Sequence, residues 1–272
     1  MKYLILGFGK MGKIHAKYLT KKNIEWYWSD PLNQKPEDKK VNIKNVSSFD
    51  RVLICTPENM HYQNYKEIRN LGFKGYVFIE KPAAITHQHL LEISQDKKAI
   101  IGMVERFNPA VQTLKNLIDP QKIINIDFSR CCVSSQSSDV SILEDIGIHD
   151  IDLLFYLLNL ENIKKSCIYN QNNTIIYMSF DPMCRMIWSK NTFFKERKII
   201  VRQTDCTYYV DLIDQIVIKH YYINNQHVSE HIYVEKGSAI SNELDNFISK
   251  NPMHIDFYTS HNYMLNLVKK LK

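Results

Sequence analysis

Short apolar runs alternate with amphipathic stretches at the start of the chain. The runs fall at Tyr3–Gly7, Ile24–Ser29, Arg51–Cys55, Tyr76–Ile79 and Ala99–Val104. Each is too short for a buried helix and is bounded by turn formers, which predicts strands. Helical periodicity fills the gaps at Met11–Thr20, His61–Leu71 and Thr86–Asp96. Strands alternating with helices predict right-handed βαβ units and a parallel sheet. The stretch Pro31–Asp50 is polar, rich in Asn and Lys, and leaves little room for a full helix. One face of that sheet should therefore be thinly covered.

The pattern changes near residue 105. Helices are predicted at Pro109–Ile118 and Ile146–Leu160, on either side of a strand at Ile123–Arg130. Long β-rich runs follow at Ser166–Asn170, Thr174–Phe180, Met186–Ser189, Lys198–Thr204, Tyr208–Leu212, Gln215–Ile223 and Val228–Val234. Turn-like clusters such as Asn170–Asn173 and Asn224–Asn225 separate some of them, as in an antiparallel sheet. Helices near Ser238–Ser249 and Tyr258–Lys270 close the pattern. The expected organisation is α/β: a doubly wound parallel sheet over residues 1–105, then an α+β domain with a mostly antiparallel sheet over 106–272.

The 272 residues are 44% hydrophobic and 24% charged, an ordinary globular mix that excludes disorder for most of the chain. The net charge of +6 is spread as single and paired basic residues among acids, which gives no nucleic-acid footprint. No apolar run approaches a membrane span, and the opening MKYLILGFGK is not followed by a signal-cleavage pattern. Six cysteines (Cys55, Cys131, Cys132, Cys167, Cys184, Cys206) show neither CxxC nor paired zinc spacing. They read as reduced thiols of a cytoplasmic protein.

Gly7-Phe8-Gly9-Lys10-Met11-Gly12 is a GxGxxG between a strand and a helix. Gly7 permits the tight turn, Gly9 admits a pyrophosphate to the backbone, and Gly12 lets the helix pack on the strand. Unpaired N–H groups at the helix start then bind phosphate. Asp30 ends the second strand, where an acid accepts from a ribose 2′-hydroxyl and repels a 2′-phosphate. This predicts a Rossmann domain binding NAD rather than NADP, with Lys35 as the nearby charge that complicates the choice.

Cys55-Thr56-Pro57-Glu58-Asn59-Met60-His61, Glu80-Lys81-Pro82 and Arg106-Phe107-Asn108-Pro109 follow the third, fourth and fifth strands. Open parallel sheets bind ligands outside the carboxyl ends of their strands, so all three clusters belong to the rim of the glycine turn. Singly, they also read as a capping turn, a Pro-stopped strand and a linker. In Asp145-Ile146-Gly147-Ile148-His149-Asp150-Ile151-Asp152, a helix would bury Ile151, Leu154, Phe155 and Leu158. Asp145, His149, Asp152 and Tyr156 then share another face. Asp145 and His149, four apart, are neighbours, and a carboxylate there can fix the tautomer of the imidazole and raise its basicity. The plain alternative is a capping Asp beside a surface His; a metal site would need a third ligand that cannot be named.

Taken in order, GFGKMGKIHA, CTPENMHY, EKP, ERFNP and DIGIHDID make residues 1 to about 160 resemble the Gfo/Idh/MocA family of NAD(P)-dependent oxidoreductases. The rest agrees in its β-rich pattern. The resemblance implies a Rossmann domain followed by a domain whose open antiparallel sheet makes homodimer or homotetramer contacts. It implies Lys81 beside the nicotinamide and the reacting hydroxyl, with a cis Lys81–Pro82 bond as an option that proline allows. It implies His149 as acid/base, oriented by Asp145. Cofactor contacts are expected from Gly7, Phe8, Gly9, Lys10, Met11, Gly12, Asp30, Cys55, Thr56, Pro57, His61, Glu80 and Lys81.

ERFNP followed by Ala110-Val111 most resembles members that oxidise UDP-N-acetylglucosamine-type nucleotide sugars at C3. Arg106 and Asn108, with Asp145 and His149, are the substrate-contact candidates; Arg106 either meets phosphates or makes an interdomain hydrogen bond. Two features depart from the family: the short stretch between the second and third strands, and Ser141-Ile142-Leu143-Glu144 where glycines often stand. The expected function is NAD-dependent hydride transfer at a sugar hydroxyl or ketone. The alternatives are action on a free sugar, polyol, imine or enone, and a non-catalytic nucleotide-binding role, which would need none of Lys81, Asp145 and His149.

Overall fold

A computed structural model describes residues 1–32, 37–133, 141–171, 173–253 and 256–271. They form two compact units, Met1–Met103 with Glu243–Tyr258, and Val104–Asn242 with Thr259–Lys272.

The first unit holds five parallel strands: β1 (Lys2–Leu6), β2 (Glu25–Ser29), β3 (Arg51–Ile54), β4 (Tyr76–Ile79) and β5 (Ala99–Ile101), in the order β2-β1-β3-β4-β5. Helices α1 (Lys10–Lys21), α2 (His61–Asn70) and α3 (His87–Ser94) connect them. Consecutive side chains such as Leu4 and Ile5, Val52 and Leu53, and Val77 and Phe78 are all buried, as a sheet covered on both faces requires. Among the described residues between β2 and β3 lie two 3-10 turns, Glu37–Lys39 and Ile43–Ser48. A single bridge pairs Lys40 with Trp28, and the Val41 N–H donates to the Trp28 carbonyl at 2.9 Å. Rings supply cover there: Phe8 stacks on Trp28 at 4.9 Å and on Trp26 at 5.8 Å, and the Lys39 ammonium lies 4.4 Å over Trp26. Lys35 lies outside the described residues.

The second unit holds β6 (Ile123–Val133), β7 (Ser166–Gln171), β8 (Thr174–Phe180), β9 (Met183–Thr192), β10 (Glu196–Gln203), β11 (Thr207–Asp211), β12 (Ile216–Ile223) and β13 (Gln226–Ile232). Their order is β13-β12-β11-β10-β6-β9-β8-β7, antiparallel except that β6 and β9 run parallel. The later helices are α4 (Pro109–Leu117), α5 (Ile148–Leu158), α6 (Ala239–Ile248) and α7 (Tyr258–Leu271). Along β8, Ile175, Tyr177 and Ser179 are buried while Ile176, Met178 and Phe180 are exposed, the alternation of a sheet covered on one face. A wide π-turn, Leu143–Gly147, leads into α5. Ile151, Leu154 and Phe155 are buried as the periodicity predicts, and Leu157 rather than the half-buried Leu158 completes the stripe.

The chain returns to the first unit at residues 243–258, beyond the single boundary read near 105. Phe247 of α6 meets Tyr3 at 6.3 Å and Phe78 at 5.4 Å. Tyr18 donates to Asp245, and Arg51 donates to the Ser249 carbonyl at 2.5 Å. Aromatic and polar partners so far apart in sequence leave no mark on local periodicity, so the pattern could not show this return.

Candidate active site

In the first unit the chain turns at Gly7 with φ +86°, a region that favours glycine. A Cβ on Gly7 would stand 2.7 Å from the Cys55 carbonyl oxygen and the Thr56 nitrogen, so the loop after β3 lies directly on the turn. A Cβ on Gly12 would stand 2.2 Å from the Gly7 carbonyl oxygen. Around Gly9 the same test meets nothing within 4 Å. Gly9 caps α1 without a side-chain hydrogen bond, and the first turn holds no acid. The leading N–H groups of that helix therefore face outward for an external acceptor. Lys10 is exposed and Met11 half-buried beside them.

Phe8 packs its ring into the fold. Its ring is buried on Trp28, and its N–H donates to Asp30 Oδ2 at 2.8 Å. Asp30 Oδ1 accepts the Leu32 N–H at 2.8 Å. A carboxylate can accept about four hydrogen bonds, so fastening the turn is compatible with binding a ribose diol.

The loops after β3 and β4 are braced from behind. Buried His61 sets Nδ1 2.8 Å from the Pro82 carbonyl and Nε2 2.8 Å from the Thr56 carbonyl. Its ring thereby ties the loops after β3 and β4 together. Asn64 donates to Thr56 Oγ1 at 2.9 Å, next to Pro57. The Lys81–Pro82 bond is cis. Glu80 Oε1 lies 2.7 Å from Nε2 of His15, a fully buried histidine that the sequence reading passed over inside GKIHA. Ligand atoms of His15, Cys55 and Glu80 lie within 4.8 Å of one another, the one such group among the described residues. Burial first, then the charge of Glu80, pushes the Cys55 thiol well above its usual range. The His15–Glu80 hydrogen bond reads as a brace for the EKP loop.

In the second unit Asp145 lies on the π-turn, and its Oδ2 meets Lys190 Nζ of β9 at 2.6 Å. Half-buried His149 stands in the first turn of α5. Asp152 is buried and receives Arg106 through two bonds of 2.6 Å and the Ser260 hydroxyl at 2.8 Å. The Arg106 guanidinium also lies 5.1 Å over the Tyr156 ring. Arg106 is thus anchored within its own unit, an arrangement that neither sequence reading of it contained. Asn108 is buried; its Oδ1 accepts the Ala110 N–H at 3.0 Å and its Nδ2 donates to the Leu212 carbonyl at 2.9 Å. Its amide caps α4.

Behind these residues runs a buried ionic network. Arg130 donates to Asp150 at 2.7 Å and to Glu105 at 2.7 Å, Arg197 donates to the same Glu105 oxygen at 2.9 Å, and Trp188 Nε1 donates to Asp150 at 2.9 Å. Burial opposes ionisation of Glu105, but Arg130 and Arg197 outweigh it and hold the carboxyl below its usual range. Glu105 and Asp150 stood inside ERFNP and DIGIHDID without an assigned role. Arg130 and Trp188 carried no motif, and the one available signal was a lone cation in a strand.

No family model matches the chain. It is 25% identical over 193 residues to the inositol 2-dehydrogenase of Rhizobium meliloti (strain 1021), covering 60% of this chain and 56% of that protein. The chain therefore spans about half the length of that curated relative. The solved UDP-N-acetylglucosamine 3-dehydrogenase GnnA from Acidithiobacillus ferrooxidans matches with a TM-score of 0.84 at 16% identity, over 99% of this chain and 96% of that one. A levoglucosan dehydrogenase in complex with NADH matches with a TM-score of 0.82 at 13% identity, over 99% and 96%. The chain has the Gfo/Idh/MocA fold. That fold accounts for both sheets, and the motif order from GFGKMG to DIGIHDID follows it. Among the described residues no helix is long and apolar enough to cross a membrane.

Proposed function

We propose that the chain is an NAD-dependent oxidoreductase acting on sugar hydroxyls and ketones, with C3 of a UDP-N-acetylhexosamine-type nucleotide sugar as the reacting position. The observation that carries this reading is the turn of the first unit: open space at Gly9, an uncapped start of α1, and the Asp30 carboxylate fastened to the same turn. Those features fit a pyrophosphate and the adenosine ribose. The charge of Asp30 disfavours a 2′-phosphate, which is the ground for NAD over NADP. The levoglucosan dehydrogenase complexed with NADH supports a nicotinamide cofactor.

When bound, NAD supplies the hydride acceptor. Lys81 offers positive charge where an alkoxide develops. His149 accepts the hydroxyl proton on oxidation and returns it on reduction, a contribution of about 10²–10⁴ in rate. Asp145 orients the imidazole from one helical turn away. The ERFNP string and the likeness to GnnA support a nucleotide sugar; the inositol relative supports a free polyol as the second reading. Exposed Ile176, Met178 and Phe180 on β8 support a homodimer or homotetramer through the open sheet face.

The test is a panel of UDP-N-acetylhexosamines, free hexoses and inositol with NAD, followed by absorbance of the reduced cofactor. Reduction with the nucleotide sugars is expected. Turnover of inositol alone selects the polyol reading. Bound NADH whose absorbance responds to no sugar leaves a non-catalytic binder.

A further inference from the structure

The far end of the second sheet carries a cluster of cations that the hydride chemistry does not use. On β6, Arg130 stands level with Arg197 on one side and Trp188 on the other. Their side chains share the covered face with Glu105 and Asp150. Side chains alternate along a strand, so Lys195, Cys132 and Lys190 come to the same side one pleat further out. Contacts agree with this: Lys190 meets Asp145, and the charge of Lys195 feels Arg197, Glu105, Arg130 and Cys132. Asp145, of the proposed catalytic pair, thus lies on this sheet end.

The charges do not balance. Glu105 and Asp150 face Arg130, Arg197 and Lys195, one cation more than acids, and Lys190 is matched by Asp145. Lys195 makes no ion pair among the described residues. Repulsion from Arg197, followed by desolvation, lowers its ammonium below the usual lysine range. Arg197 remains 38% exposed despite its bond to Glu105. Immediately before Lys195 stand Phe193 at 103% and Phe194 at 61% exposure. That loop is pinned rather than loose, because Thr192 Oγ1 lies 3.0 Å from the Cys132 carbonyl and 2.8 Å from the Phe194 carbonyl.

Resting on the reading above, we propose that Lys195 and Arg197 bind the diphosphate of the nucleotide-sugar substrate while Phe193 and Phe194 offer their rings to its base. A guanidinium and an ammonium side by side suit vicinal phosphates. Bare phenyl rings suit the face of any base. A free polyol engages neither feature, so this sheet end separates nucleotide sugars from neutral sugars.

The experiment is calorimetric titration of UDP, uridine and inorganic pyrophosphate into the full chain saturated with NADH. UDP should bind more tightly than either fragment. Lys195→Gln should weaken UDP by about tenfold or more and leave uridine unchanged; Phe193→Ser should weaken both. Both positions are exposed, so the fold is not at risk. UDP that binds wild type and Lys195→Gln equally, or fails to bind wild type, overturns the subsite, and UDP no tighter than pyrophosphate overturns the nucleotide assignment. The reaction fails separately: Lys195-dependent UDP binding without turnover of any sugar leaves the subsite standing and removes the dehydrogenase reading.

Discussion

In the first unit the Phe8 amide is held by Asp30, Gly7 presses on the Cys55–Thr56 peptide, and His61 spans the carbonyls of Thr56 and Pro82. In the second unit Arg130, Arg197, Glu105 and Asp150 hold one another through side chains drawn from three strands or helices and the turn after β5. The first unit holds its loops mainly through main-chain groups, and the second pairs two acids with two arginines. The first arrangement depends on glycines and short loops. The second depends on every member staying ionised, because a buried charge without its partner is costly.

The largest effect should follow from upsetting that balance. Glu105→Gln removes the acid shared by Arg130 and Arg197, and should cost about 3–5 kcal/mol in denaturant unfolding; a loss below about 1 kcal/mol would erase the contrast between the halves. Because the carboxyl of Glu105 is held below its usual range in the folded state, its contribution is complete above the unfolded value of about 4.3. It disappears as pH falls through the lower folded value. The gap between wild type and Glu105→Gln should therefore close in acid, and a gap constant down to pH 2 contradicts the ionic account.

Gly12→Ala probes the first unit. Its Cβ would meet the Gly7 carbonyl oxygen at 2.2 Å, and overpacking of this kind costs about 1–3 kcal/mol. The thermal midpoint and NADH affinity should fall together; an unaltered NADH titration would show that the start of α1 does not depend on this close approach. The smallest effect is expected from Asp30→Asn. The amide keeps one oxygen, enough for the Phe8 N–H but not also for that of Leu32, and removes the charge, so the preference for NAD over NADP should narrow by about tenfold. A preference that does not change contradicts the assignment of the ribose to Asp30.

The same contrast explains what could be read from the sequence. The glycine turn and the strand ends were legible because each is a local strand–loop arrangement with fixed residue requirements, whereas EKP alone reads equally as a Pro-stopped strand. The five-stranded sheet followed from apolar runs that need no partner to be recognised. His15 was not legible, since its partner Glu80 stands 65 positions away. Nor was the network of Arg130, where the sequence shows a lone cation in a strand and the acids that justify it lie 20 and 25 positions off. The cap made by Asn108 was not legible either, since an Asn before Pro-Ala suits a helix cap and a polar contact alike. The packing of Phe8 was hidden because the motif constrains its backbone and leaves its ring free to join Trp26 and Trp28.

The division of labour between the halves is tested most directly with His149→Ala, by measuring NADH affinity by fluorescence titration and turnover on the best sugar of the panel. The account predicts an unchanged NADH dissociation constant with turnover lower by about 10²–10⁴. Full turnover in His149→Ala, or loss of NADH binding in a folded protein, would contradict it.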